Sequence, residues 1–315
     1  MPYVFGPVPS RRLGISLGVD LTPSKTCTFD CLYCQVGKTT CVRADPGPLV
    51  PIREVIRELD RKLEHVTPDV ITISGSGEPT LHSEIDQLIN HVRASTNHKI
   101  AVISNGSLFW REEVRKKVLE AHRIMPTLST ATEETFQLIH RPHPSITLAM
   151  VIHGLRDLRQ EYQGELFLET MFLRGINDDQ EMVDALKQLL EEISPDRIQL
   201  NTVARPPSDG RASALDRQRL EEIRKFFGSK AEIIADARVK GGDHSNDSLL
   251  VLITEMARRR PVRIEDVANA LDIPVNEAEM VLNRLQSAGT LFSREHEGDL
   301  YFSARIQEEH EQDRL

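Results

Sequence analysis

Three of the chain's four cysteines lie in the stretch KTCTFDCLYCQ, where Cys27, Cys31 and Cys34 follow the spacing C-x3-C-x2-C. Separations of four and three also describe three small apolar side chains on one helix face, so a packing role competes with a chemical one. The cysteines are not spread as a disulfide framework would be, and clustered thiols in a reducing compartment act as metal ligands. A structural zinc needs four protein ligands, and Cys41 lies beyond VGKTT, an unhelpful place for the fourth. A cubane iron-sulfur cluster takes four thiolates, so three leave one iron open to an outside ligand. An open iron serves chemistry rather than scaffolding.

Other polar residues sit where strands end. In ITISGSGEPTLH, Gly75-Ser76-Gly77-Glu78-Pro79 leaves an apolar run, and its glycines permit either close backbone approach to a ligand or a plain strand-to-helix turn. Ser104-Asn105-Gly106 is a turn of similar placement. Ser129 closes another run, and Thr130 with Glu133 has the spacing of a helix cap. By two-residue alternation Glu169 shares a face with Met171, and Gln199 with Asn201, Val203 and Arg205. Inward polar groups need partners, which makes Gln199 and Asn201 candidate contacts for substrate or cofactor. Arg205 is either an anchor for an anionic substrate or a loop arginine. HRPHP, with His140 and His143 held apart by proline, reads as a rigid loop rather than a metal pair.

The elements that must position these residues alternate between short β-rich runs and amphipathic helices. Strands are expected at 15–21, 69–74, 99–104, 123–129, 165–172 and 197–203, with Pro126 a weakness in the fourth. Between them, Val55, Ile56, Leu59 and Leu63 share one helix face, as do Met182, Ala185, Leu186, Leu189 and Leu190. Six such units predict an α/β fold, a parallel barrel that is incomplete or an open doubly wound sheet. Both place chemistry at the carboxyl ends of strands. The expected domains are 1–238, a linker over 239–248, a small domain over 249–305 and a polar tail over 306–315.

Cys27-x3-Cys31-x2-Cys34, with Tyr33 before the last cysteine, resembles the radical S-adenosylmethionine (SAM) enzymes. That resemblance implies a partial parallel (β/α)6 barrel and a 4Fe-4S cluster on these three cysteines. The open iron would bind the amino and carboxylate groups of SAM, and reductive cleavage would give a 5'-deoxyadenosyl radical that abstracts hydrogen from substrate. Gly75 to Pro79 is similar to the superfamily's Gly-Gly-Glu-Pro element, with one glycine replaced by Ser76. The resemblance further assigns Tyr33, Asn105 and Ser129 to the cofactor pocket and implies an electron donor such as flavodoxin or ferredoxin; from their strand faces Met171 is expected to pack on the cofactor and Asn201 to contact cofactor or substrate. VFGPVPSRRLGISLGVDLTPSKTC and LNTVARPPSD extend the likeness to a branch related to the tRNA wybutosine-synthesis enzymes. No cysteine precedes Cys27, so a second cluster is not expected, and the resemblance carries radical chemistry without a substrate: RNA and a small metabolite both stay open.

The segment beyond residue 248 has the order of a winged helix-turn-helix, three helices and two short strands around Glu297-Gly298-Asp299. Residues 246–315 hold eight basic and fourteen acidic residues, a net of −6 within a chain of net −9. Its recognition helix carries Glu277 and Glu279 against Arg284, unfavourable for DNA phosphates. Arg258, Arg259, Arg260 and Arg263 form either a basic patch or a solvated face. A protein-contact, dimerisation or site-covering role is therefore expected. The competing reading is a winged-helix iron-sulfur redox sensor without turnover. At 39% hydrophobic and 28% charged, with no apolar run of about 18 residues and no signal-peptide pattern, the sequence is expected to be cytoplasmic and to make no membrane contact.

Overall fold

A computed structural model describes residues 2–10, 12–234, 246–271, 273–296 and 298–304. These fall into two compact units, residues 1–239 and 240–315. Most of the expected linker and all of the expected tail lie outside the described residues. The linker's last three positions are already helical.

The first unit opens with an antiparallel pair, β1 (Val4–Ser10) and β2 (Gly14–Val19). Two short strands, β3 (Thr26–Cys27) and β4 (Cys41–Val42), pair in parallel at the two ends of the cysteine segment. Then follow α1 (Ile52–Leu63), β5 (Val70–Ile73), α2 (Ile85–Ser95), β6 (Lys99–Ser104), α3 (Glu112–Val118) and β7 (Arg123–Pro126). The series continues with α4 (Glu133–His140), α5 (Leu148–Glu161), β8 (Glu165–Phe172), α6 (Gln180–Ile193), β9 (Arg197–Thr202), α7 (Arg217–Phe227) and β10 (Ala231–Ile233). The main sheet has the order β1-β2-β5-β6-β7-β8-β9-β10, parallel from β2 onward.

That order never reverses. A doubly wound sheet needs a reversal to place helices on both faces, whereas sequential right-handed crossovers put every helix on one face and curl the sheet around the other. The curl is visible in one contact. Arg12, in the β1–β2 turn, reaches Glu169 of β8 with Nη1 2.6 Å from Oε2. In a flat sheet β2 and β8 would stand about 19 Å apart, four strand spacings, beyond an arginine's reach. The architecture is therefore the incomplete barrel, with seven parallel strands where six were expected.

Alternation sorts the strand residues between two environments. Leu17, Val19, Ile71, Ile73, Ile100 and Val102 join the helices in the main hydrophobic core. Leu13, Val70, Ala101, Met125 and Phe167 form a separate apolar cluster on the opposite face, the barrel lumen. Pro126 does not break β7: it pairs with Ser104 of β6 as the last strand residue, and just beyond it Thr127 still bridges to Glu169 of β8.

The second unit contains α8 (Asn246–Arg259), α9 (Ile264–Leu271), α10 (Val275–Ser287) and the antiparallel hairpin β11 (Leu291–His296) and β12 (Asp299–Ala304). Ile253, Val267, Leu282 and Phe302 are among its buried residues, and a bridge joins Val262 to Phe302. Glu297, expected in the hairpin turn, lies outside the described residues. No helix among the described residues is long and apolar enough to cross a membrane.

Candidate active site

Residues 28–40 contain no helix, so the three cysteines are not a helical stripe. They sit on an irregular loop that is pinned at many points. Asp30 N and Leu32 N donate to the carbonyls of His140 and Ile139, both at 2.9 Å, and His143 N donates to Thr28 O at 2.8 Å. Arg141 bridges Asp30 (3.3 Å) and Asp209 (2.6 Å). The Ser208 hydroxyl reaches the carbonyls of Cys31 and Leu32. Thus HRPHP is a loop from Arg141 onward, as expected, with His140 the last residue of α4, and it clamps the cysteine segment.

All four cysteines are free, and Cys41 is exposed. Burial, with the Glu78 carboxylate adding to it, pushes the Cys27 thiol up to about 12. Cys31 rises through burial and the proximity of Cys27 and Cys34. Cys34 also rises through burial, opposed by the backbone N–H groups of Val36 and Gly37 and by the Lys25 ammonium. Partly buried and close together, the three thiols hold their protons until positive charge is brought to them. Among the described residues no three His, Cys, Asp or Glu side chains converge on a single-ion site. A cubane makes no such demand, because each thiolate meets its own iron. Three thiolates on one loop are a donor set that suits three irons of such a cluster.

The Gly75–Pro79 loop packs directly against this segment. A Cβ on Gly77 would overlap the Thr26 carbonyl oxygen, and one on Gly75 would overlap the Asp20 carboxylate. Close approach is required, as expected, but to the protein's own backbone and to Asp20. Ser76 replaces a glycine without penalty because its N and Oγ both donate to Asp20 Oδ2, at 3.0 and 2.7 Å. Pro79 begins a buried 3-10 turn, Pro79–Leu81, capped by Glu78.

Glu78, 2% exposed, joins the loops. Its Oε1 accepts from Thr80 N (3.0 Å), Thr80 Oγ1 (2.6 Å) and Ser104 Oγ (2.8 Å), and its Oε2 from Asn105 N (2.7 Å). Burial raises its pKa while these donors oppose the rise. Asn105 Nδ2 then donates to Thr28 Oγ1 at 2.7 Å and approaches Cys27 Sγ at 3.5 Å. Glu78, Asn105 and Thr28 thereby sew three chain-distant loops into one surface at the carboxyl ends of β5 and β6.

The remaining expected residues are more embedded. Ser129 Oγ accepts from Met171 N at 3.1 Å, and its carbonyl accepts from Asn177 Nδ2, so it joins β7 to the end of β8. The cap of α4 is Thr132, not Thr130, because Thr132 occupies the extended position just before the helix. Met171 packs with Leu32, Ile139, Leu173 and Val203, with Tyr33 alongside. Asn201 Nδ2 donates to Glu169 Oε1 at 2.7 Å, and Gln199 donates to Glu232 at 2.9 Å while its Oε1 has no hydrogen-bond partner among the described residues. Arg205 is buried. His140 Nδ1 lies 3.2 Å from Cys31 Sγ in a ring pushed to a pKa of about 3 by burial. Sequence reasoning missed Asp20, Arg12 and this histidine contact. Only Asp20 carried a signal, as a carboxylate just past β2.

Residues 21–189 match the family model of the Radical SAM superfamily. A UPF0026 protein of Methanocaldococcus jannaschii is 31% identical over 319 residues, covering 97% of each chain. A protein named GTPase Obg from Brachyspira hyodysenteriae is 33% identical over 308 residues, and the chain spans 45% of that longer relative. The crystal structure of a radical SAM methyltransferase from Sphaerobacter thermophilus shares the fold, with a TM-score of 0.54 at 16% identity over 72% of this chain and 67% of that one. With the family model over more than half of the sequence and a UPF0026 relative matched end to end, the chain belongs to the radical SAM superfamily, enzymes that use a 4Fe-4S cluster and SAM.

Proposed function

We propose that Cys27, Cys31 and Cys34 hold the 4Fe-4S cluster and that the loops after β5 and β6 seat SAM against its open iron, for hydrogen abstraction from an RNA nucleoside or a small metabolite. The observation that carries this reading is the Glu78 carboxylate, which fixes Ser104 and Asn105 beside the cysteine loop. Bound there, the cluster would supply one electron to the sulfonium, whose carbon-sulfur bond would break to give methionine and a 5'-deoxyadenosyl radical. The Gly75–Pro79 backbone orients the SAM amino group, and Tyr33 and Met171 exclude water from its adenosyl end. Ser129 and Asn201 hold the walls of the pocket. The electron donor is a flavodoxin or ferredoxin, and the wybutosine-related branch is the reading favoured by the motifs around the cysteines.

The residues of the second unit are read as a winged helix, supported by the order of α8, α9, α10 and the β11–β12 hairpin. On α10, Val275 is 53% and Met280 64% exposed, beside Glu277 and Glu279. Such a surface suits a protein partner or a second copy better than nucleic acid. Domain limits of 1–238 and 249–305 follow from this reading.

Anaerobic reconstitution with iron and sulfide, then dithionite and SAM, should yield 5'-deoxyadenosine. A fully loaded protein that yields none overturns the proposal. Repeating the assay with deuterated RNA or a deuterated metabolite extract places deuterium in 5'-deoxyadenosine from the correct substrate class only.

A further inference from the structure

We propose that His140 donates an N–H···S hydrogen bond to Cys31 and thereby raises the reduction potential of the cluster; this rests on the cysteine assignment above. The distance from Nδ1 to Sγ is 3.2 Å. A thiolate ligand carries no proton, so the contact requires the proton on Nδ1.

The ring cannot swing away. It is the last residue of α4, 3% exposed, and is packed by Phe29, Phe136 and Tyr33 at centroid distances of 5.2, 5.3 and 5.8 Å. The His140 carbonyl accepts from Asp30 N at 2.9 Å, so main chain and ring grip the same loop. Arg141 ends the helix in the left-handed region, φ 40°, and its guanidinium ties down Asp30.

Cys31 is served differently from the other two thiols. Backbone N–H groups of Phe29 and Thr28 favour the Cys27 thiolate, which Asn105 Nδ2 also approaches at a long 3.5 Å, and those of Val36 and Gly37 favour the Cys34 thiolate. At Cys31 the side chains of His140 and Tyr33 reach the sulfur. Backbone donors survive any substitution, whereas a histidine donor can be removed. An added electron raises the charge on the cluster sulfurs, so a donor stabilises the reduced state more than the oxidised one. Loss of the donor moves the potential negative. Water entering a vacated site moves it positive, and the sign separates the two effects.

The test compares the full-length wild type, His140→Leu and His140→Gln, each reconstituted anaerobically without SAM and matched for iron and sulfide content. Midpoint potentials follow from a redox titration monitored by electron paramagnetic resonance. His140→Leu should shift negative, and His140→Gln, which keeps an N–H donor, should lie nearer to wild type. Equal midpoints, a positive shift in His140→Leu, or the same negative shift in both variants overturns the inference. If either variant fails to load, wild type carrying ring-15N histidine gives the answer by pulsed resonance on the reduced cluster. A histidine 15N coupling is expected there, and its absence overturns the inference. A wild type that assembles no cluster overturns the proposed function instead.

Discussion

The two faces of the main sheet are built on opposite principles. The face toward the helices is mostly apolar, with Thr170 and Thr202 its polar exceptions near the carboxyl ends: Leu17, Ile71, Val102 and Leu168 are fully buried. Each contributes about 1.5–3 kcal/mol from burial alone. The lumen face changes along its length. It begins with Val70, Ala101 and Phe167 and passes to a polar tier where Ser16 meets Thr72 at 2.6 Å and Asn201 meets Glu169 at 2.7 Å. Buried polar groups add little when paired and cost about 1–3 kcal/mol when a partner is lost. One face of the sheet therefore secures the fold, while the other hands over, toward the carboxyl ends, to loops whose side chains bond each other.

Substitutions on the two sides should fail in different ways. Cys27→Ala, Cys31→Ala or Cys34→Ala should abolish both cluster content and 5'-deoxyadenosine formation while leaving the far-ultraviolet circular dichroism unchanged. Glu78→Gln presents an amide to groups that all donate to a carboxylate, so Ser104 and Asn105 should shift relative to Cys27. A displacement near 1 Å is worth about 100-fold in rate. We expect that loss in SAM cleavage at equal iron loading; unchanged turnover would show that the carboxylate is not what aligns the loops. Leu168→Ala, on the helix-facing side, should cost about 2–5 kcal/mol in denaturant unfolding. Its turnover below the transition should match wild type, and a matching loss of turnover would erase the distinction between the faces. Cys41→Ala is the smallest change: exposed and outside the C-x3-C-x2-C set, it should alter neither iron content nor activity.

Much of this arrangement was legible in the amino-acid order, and the exceptions have physical causes. The strands at 99–104 and 165–172 were placed without error because both are long, apolar or β-branched runs. β1 went unread because VFGPVPS carries a glycine and two prolines; an edge strand whose register shifts between Phe5 and Val8 tolerates them. β10, with three residues, is too short to show a period. At the site, the cysteines and the Gly75–Pro79 loop stood out by residue type. Their neighbours did not, since Glu78 meets Ser104 across 26 positions and Cys31 meets His140 across 109. No local pattern reports such pairings. The glycines of that loop stand out as room for a ligand, and in the fold they also make room for Thr26 and Asp20.

The bond between Arg12 and Glu169 also bears on how the chain assembles. Its ends are 157 positions apart, and it is made between the turn synthesised first and a strand synthesised much later. Closing so long a loop carries a conformational-entropy cost that local helix and strand contacts do not. The β1–β2 hairpin can form early, but the curl of the sheet cannot be latched until β8 is in place. The latch that holds the lumen closed is thus one of the unit's most non-local contacts, and the shape of the pocket depends on chain segments that only the folded sheet brings together.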